Sequence, residues 1–290
     1  MWQEYLFATS VEHALELLSR YEGRAQLIAG GTDLVLQSQR GECPATVMVD
    51  ITRIPGLNHI QEQDGHIVVG AQVTHAQIAA SPLIREKAPI LAMACAQVGG
   101  PQIRNAGTLV GNVINAQPAA DGAVALFALD AELEVATPEG RRWEPIAHVY
   151  RGVGVCTINP CQEMVTAVRF RPLTGACGCN YQRLARRKAL TLPTLVVAAV
   201  LEMTGDAIKW ARIAIGPVAP TPYRAADAEA YLIGKKAEES VFAEAGQLAA
   251  AKARPRDSLI RGSGEYRTAM VGVLVRRALA AAAQQCYGRR

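Results

Sequence analysis

The chain has 290 residues, 50% hydrophobic and 19% charged, with a formal net charge of +4. That is a globular composition with room for two domains, each large enough to bury a core. The small charge and the lack of any long basic block exclude nucleic acid as the favoured partner, and "RLARRK" at Arg183–Lys188 reads as a solvated face.

The N-terminal "MWQEYLFATS" has neither a basic region nor a long apolar one, so the expectation is a cytoplasmic protein. "TSVEHALELLSRY" predicts the first helix: Thr9 and Glu12 have capping-box spacing, and Val11, Ala14, Leu15 and Leu18 share a face. "AQLIAG" predicts a buried strand running into a glycine pair. "LVLQSQRG" predicts a helix stopping at Gly41, and "ATVMVDI" a second buried strand. "HIQEQDGHIVVGA" predicts a hairpin turning on Asp64-Gly65. "THAQIAAS" is a short helix capped by Thr74, and "PILAMACAQVG" a longer apolar one.

The stretch from Gly99 to Val135 begins loop-like, rich in Gly, Asn and Pro. It continues as an apolar helix of small residues and ends in the strand "AELEVAT". Composition shifts near Arg171–Gly178, which divides the chain into 1–174 and 175–290. Beyond it, "CNYQRLA", "TLPTLVVAAVLEM" and "AIKWARIAIG" predict three strands, the last two joined by a turn at Thr204-Gly205-Asp206. Three helices follow, an order that points to an α+β fold. The longest apolar run, "LVVAAVL", is far short of the roughly 20 residues of a membrane-spanning helix, so no membrane insertion is expected.

Seven cysteines include no Cys-x-x-Cys pair. Cys177 and Cys179 alone are a weak metal signal, and the expectation is reduced structural thiols and no metal site.

Two stretches carry chemistry. In "LIAGGTDL" a strand-to-helix turn with two glycines lets consecutive N–H groups point one way. Such a nest binds an anion, usually a phosphate, and Thr32 adds a donor. Gly31 is then expected where a Cβ would meet the phosphate. Asp33 fits a phosphate poorly and reads instead as a cap of the next helix or an acceptor for a nearby N–H. A plain tight turn is the alternative reading. Neither the dinucleotide fingerprint Gly-x-Gly-x-x-Gly nor the Walker sequence is present. The second stretch, "GGPQIRNAGTLVGNVINAQPAAD", again places glycines among amides, with Asn105, Asn112 and Asn115. Two such loops suit a long ligand with a central pyrophosphate.

"LIAGGTDL", followed by "GPQIRNAGTLVGN" and "AD", resembles the FAD-binding medium subunit of molybdenum hydroxylases, the xanthine dehydrogenase and carbon monoxide dehydrogenase type. "IAIGPVAPTPYRAADAEAYLIG" is similar to that family's C-terminal domain, and the likeness covers nearly the whole chain. It implies a two-part N-terminal FAD-binding domain of the vanillyl-alcohol-oxidase (PCMH) type, plus a C-terminal three-stranded sheet with a helical bundle. It implies pyrophosphate contacts from Leu27, Ile28, Ala29, Gly30, Gly31, Thr32, Asp33 and Leu34, and a second FAD loop of Thr108, Gly111 and Asn112. Asn115 and Asp121 would continue along the cofactor, and Val165 would supply an apolar contact. Tyr181 and Gln182, or Arg183 if the register slips, would approach the isoalloxazine.

Two positions depart from the pattern. Val110 stands where the family has a glycine, and is strained if that position needs positive φ. "ALTLP" follows "ARRK" where many relatives carry an Asp. The implied partners are a molybdopterin-binding large subunit and a two-iron two-sulfur small subunit, with NAD or another electron acceptor. His13, His59, His66, His75 and His148 read as solvated or partly buried residues, none a base, and no catalytic side chain is nominated. A stand-alone flavin oxidoreductase and a FAD-less assembly protein are the competing readings.

Overall fold

In the computed structural model, which describes residues 2–288, the chain begins with β1 (Glu4–Phe7), α1 (Val11–Arg20), β2 (Ala25–Ile28), α2 (Leu34–Gln39) and β3 (Val47–Asp50). The strands form a parallel sheet in the order β1-β3-β2, onto which α1 packs Val11, Ala14, Leu15 and Leu18. All three strands point the same way, so the turns after Phe7, Ile28 and Asp50 emerge at one edge. That edge is where open parallel sheets place ligands. The cap of α1 is Ser10, whose hydroxyl accepts from the His13 N–H; the expected Thr9–Glu12 box is one residue out of place.

Next come β4 (Ile60–Gln63) and β5 (His66–Gly70), the expected hairpin. Asp64 and Gly65 take φ of 51° and 73°, the pair of left-handed residues that a two-residue type I′ turn needs. α3 (His75–Ala80) starts at a full capping box of Thr74 and Gln77. α4 (Pro82–Lys87), absent from the sequence reading, is started by the Ser81 hydroxyl and Pro82. α5 (Pro89–Ala96) follows. The stretch read as a loop is in fact two six-residue helices, α6 (Pro101–Ala106) and α7 (Leu109–Ile114). Each is too short to display a helical period, and each is set by its start: Pro101 in one case, the Thr108 hydroxyl on the Gly111 N–H in the other. α8 (Asp121–Ala128), β6 (Glu132–Thr137), β7 (Gly140–Pro145), α9 (Ile146–Val149), β8 (Tyr150–Gly152), β9 (Val155–Cys156) and β10 (Met164–Phe170) complete this half. Five of the strands form an antiparallel sheet, β4-β5-β10-β6-β7.

The last part holds β11 (Cys177–Leu184), β12 (Leu195–Thr204), β13 (Ala207–Gly216), β14 (Tyr223–Arg224), α10 (Ala226–Leu232), α11 (Glu239–Ala251) and α12 (Gly264–Gly288). The expected three-stranded sheet gains the two-residue β14 at its edge. The unbroken apolar run of β12 has a simple cause: the strand is covered on both faces. Val196, Ala198 and Val200 pack into the core that contains α8, whereas Leu195, Val197, Ala199 and Leu201 pack into the one formed with α11 and α12. No helix among the described residues is long and apolar enough to cross a membrane.

α8 joins the two halves. All eight of its residues are buried. At its start Asp121 accepts from the Tyr181 hydroxyl at 2.7 Å and from Arg183 Nε at 3.0 Å. Just past its end Asp130 pairs with Arg212 and Arg224, and Arg224 also donates to the Phe127 carbonyl at 3.1 Å.

Val110 needs no positive φ. It lies in the first turn of α7, buried in the core that also holds α8. Val110→Gly should therefore relieve nothing. It should lower the free energy of unfolding by roughly 2–4 kcal/mol, from lost apolar burial and the poor helix propensity of glycine. Urea denaturation measures this, and an unchanged midpoint would contradict the buried helical placement.

Candidate functional site

The first glycine stretch leaves β2 at Ile28, whose carbonyl accepts from the Ile51 N–H, and enters α2 with the Val35 N–H on the Gly31 carbonyl. Between these anchors, the N–H groups of Gly30, Gly31, Thr32, Asp33 and Leu34 donate to no protein acceptor among the described residues. Buried or half-buried backbone donors without partners are uncommon. Five in a row at the edge of a parallel sheet are what an anion-binding nest would need. Gly31 supplies the left-handed residue, φ 65°, but a Cβ there would point at Ile28 and Val35 rather than at a ligand, which corrects the expectation from sequence. Asp33 makes no side-chain cap bond, and desolvation raises its carboxyl pKa. Ile28 and Leu34 pack with Ala45 and Met48 beneath the turn, and Leu27 is half-buried on β2.

The second stretch is held against the first. A Cβ on Gly30 would fall on the carbonyl oxygen of Ala106, far inside van der Waals contact; one on Gly107 would lie 3.3 Å from Thr32 Oγ1. The turn between α6 and α7 is fixed from behind, since the Gly107 carbonyl accepts from the His75 N–H and the Leu109 N–H donates to Val73. Together the two turns border a cleft of about 620 Å³, lined in part by Ala29, Gly30, Asn105, Ala106 and Thr108.

The cleft also has a polar wall that sequence reasoning missed: Thr52, Asn58, Gln72, Thr74 and Gln77. Gln72 Nε2 donates to the Ile51 and Ile54 carbonyls at 2.6 and 2.8 Å, and Gln77 Nε2 to Asn58 Oδ1 at 2.9 Å. The wall is thus cross-braced by its own hydrogen bonds. Its one visible signal was the Thr74–Gln77 spacing, legible only as a helix cap.

Behind the second turn lies a buried polar chain. His75 sits 3.4 Å from Cys95 Sγ, and its ring backs onto both Gly107 and Gly122. Burial, with Arg104 nearby, lowers its pKa to about 4, so it is neutral and not a solvated histidine. Asn112 Oδ1 accepts from the Ala123 N–H at 3.2 Å, tying α7 to α8. Asn115 ends α7. Asp121, two residues earlier than Ala123, is nearly inaccessible; burial raises its pKa against the pull of Arg183. Burial and the adjoining carboxylate push Tyr181 well up. Arg183 also donates to the Thr191 carbonyl at 2.6 Å, so its guanidinium is engaged on two sides. Gln182 lies on the other face of β11, bonded to Asn180 Oδ1, and Val165 is buried in β10 beside a register shift. The structure thus brings residues 29–34 together with Thr108. It places Gly111, Asn112, Asp121 and Arg183 in the layer behind, and it sets Gln182 apart.

Residues 2–172 match the family model described as the FAD binding domain in molybdopterin dehydrogenase, and residues 180–282 match the CO dehydrogenase flavoprotein C-terminal domain. The chain is 31% identical to the carbon monoxide dehydrogenase medium chain of Hydrogenophaga pseudoflava, over 98% of each chain. It is 28% identical to the xanthine dehydrogenase FAD-binding subunit of Escherichia coli O157:H7, over 98% of this chain and 97% of that one. Among solved structures, carbon monoxide dehydrogenase from Hydrogenophaga pseudoflava lacking the Mo-pyranopterin moiety of its cofactor superposes with a TM-score of 0.95, at 32% identity and 99% coverage of both chains. Quinoline 2-oxidoreductase from Pseudomonas putida 86 gives 0.90, at 28% identity over 98% of this chain and 97% of that one. The free donors of the nest and the cleft beside it fit the diphosphate of FAD.

Two outcomes follow. Gly30→Ala should drive the two turns apart and weaken FAD binding more than tenfold, measured by flavin fluorescence titration; wild-type affinity would show that the close approach is not needed. His75, neutral in the fold and protonated near pH 6.5 when unfolded, makes the unfolded chain bind more protons between about pH 4 and 6.5. Stability from this group is complete above pH 6.5 and is lost as pH falls toward 4, with a slope of at most about 1.4 kcal/mol per pH unit. His75→Phe should flatten that slope in chemical denaturation across the window, and an unchanged slope would contradict the buried neutral state.

Proposed function

The chain belongs to the family of FAD-binding medium subunits of molybdenum hydroxylases, flavin-dependent oxidoreductases, and from that premise we propose that it works as the electron-transfer subunit of such a complex. In this reading a molybdopterin-binding large subunit oxidises the substrate, a two-iron two-sulfur small subunit relays the electrons, and this chain would hold the FAD through which they reach NAD or another acceptor, in the cytoplasm. Bound FAD supplies the redox chemistry. The chain supplies the rest. The N–H groups of residues 30–34 hold the diphosphate, with Thr32 and Thr108 alongside. The wall from Thr52 to Gln77 shapes the cleft. Asp121, Tyr181 and Arg183 lock the C-terminal sheet against the helix behind the second turn.

The observation that carries the reading is the run of unpartnered donors pressed against a second glycine turn. The His75 imidazole is buried against Cys95 behind that turn, whose Gly107 carbonyl accepts from the His75 backbone N–H, so it is no base open to the cleft. A stand-alone flavoenzyme would need such a group over the flavin. The FAD-less reading rested on strain at Val110, and Val110 is an ordinary helical core residue.

Expressed alone, the chain should carry FAD, released by acid as FAD rather than FMN, and should oxidise no purine, aldehyde or N-heterocycle. Assembled with its two partner subunits, it should lose flavin absorbance when substrate is added, and omission of molybdenum should stop that loss. Full turnover by the isolated chain would contradict the subunit reading.

A further inference from the structure

The polar wall of the cleft is built from amides whose orientation is forced. The Ile51 and Ile54 carbonyls can only accept, so the Gln72 atom that meets them at 2.6 and 2.8 Å is Nε2. Gln72 Oε1 is left over as an acceptor. The Thr74 N–H can only donate, so the Gln77 atom that takes it, at 2.8 Å, is Oε1. That turns Gln77 Nε2 toward Asn58, which answers with Oδ1 at 2.9 Å. Asn58 Nδ2 is then left over as a donor. Backbone groups thus fix the polarity of three side chains in turn.

Among the described residues neither leftover atom has a hydrogen-bond partner, and neither is sealed in the core, where the unpartnered side-chain atoms are Ser38 Oγ and the Tyr150 hydroxyl. Asn58 and Gln72 line the same cleft. The backbone that carries Asn58 is tied down on both sides. The Leu57 carbonyl accepts from the Gln72 N–H, and the His59 carbonyl accepts from the Gly70 N–H.

The cleft therefore offers one fixed acceptor and one fixed donor. Adenine presents the complement, an amino donor beside a ring-nitrogen acceptor. An isoalloxazine also carries a donor beside an acceptor, but it brings a dimethylbenzene edge as well. The apolar side chains lining the cleft are only those of Ala29, Ala76 and Ala106. A smaller ring without an alkyl edge suits that lining better. The two glycine turns take up the rest of the border, so the wall meets the edge of the base farthest from its ribose, N1 with the 6-amino group.

We propose that Gln72 and Asn58 read the adenine of the dinucleotide. Gln72 Oε1 accepts from the 6-amino group, and Asn58 Nδ2 donates to N1. Gln77 is the positioning residue that keeps Asn58 in its donating orientation. The proposal rests on the FAD reading above and adds which end of the cofactor the wall receives.

The test titrates the full chain, stripped of flavin, with FAD and with the analogue that carries hypoxanthine in place of adenine, followed by flavin fluorescence. Hypoxanthine has a carbonyl and an N1–H at that edge, so both polarities are reversed and wild type should hold FAD at least tenfold more tightly. Gln77→Glu still caps α3, since Thr-x-x-Glu is itself a capping box, but it turns an oxygen toward Asn58. Asn58 must then rotate, giving Nδ2 to Glu and presenting Oδ1 to the cleft. The urea midpoint should stay at or above that of wild type, while the preference for FAD over the analogue falls to threefold or less. The added charge repels both dinucleotides alike and cancels in that ratio. Wild type binding the two dinucleotides within twofold of each other would overturn the proposal and leave the FAD site standing. A full wild-type preference retained in the Gln77 variant would overturn it too. A wild-type chain that binds neither dinucleotide would overturn the FAD reading with it.

Discussion

The backbone of Gly30 rests directly on the carbonyl of Ala106, and the rest of the site depends on that contact. Any side chain at Gly30 would separate the turn after β2 from the turn between α6 and α7. With them together, five unpartnered N–H groups of one turn lie beside the hydroxyl-bearing start of the other. None of the five residues is buried, and the last of them open α2, so their N–H groups remain available to a ligand. The arrangement makes sense when a bound anion satisfies them, and it is pre-organised, so little ordering is left for the moment of binding.

The second turn is held in place by a layered support that reaches across the molecule. His75 backs it, Asn112 ties its helix to α8, and Asp121 at the head of α8 takes bonds from Tyr181 and Arg183 of the C-terminal sheet. A second clamp at Asp130 fixes the far end of α8 through Arg212 and Arg224. The C-terminal half therefore braces the second turn through a buried helix.

Much of this was legible from residue patterns. Asp64-Gly65 marked its hairpin because few other pairs accept two left-handed residues. The β12 run was read as a strand, although only tertiary packing explains why both faces are apolar. The two glycine stretches were read as anion-binding turns, but their contact with each other was not foreseen, because no local pattern encodes which carbonyl will face Gly30. The helices α6 and α7 were missed since Gly, Asn and Pro at their ends outweigh six residues of weak periodicity. Val110 misled for a related reason: the resemblance marked its residue type as unusual, while its conformation was set by the Thr108 cap one position before α7. The polar wall from Thr52 to Gln77 gave no chemical signature, being amides and hydroxyls bonded to one another or, for Gln72, to the Ile51 and Ile54 carbonyls.

The most direct test of the account is a comparison of backbone amide chemical shifts of the ¹⁵N-labelled chain before and after FAD is added. The nest requires the largest changes at Gly30, Gly31, Thr32, Asp33 and Leu34, with smaller ones at Thr108 and Gly111. Saturating FAD that leaves the amides of residues 30–34 where they were would show that the diphosphate is held elsewhere.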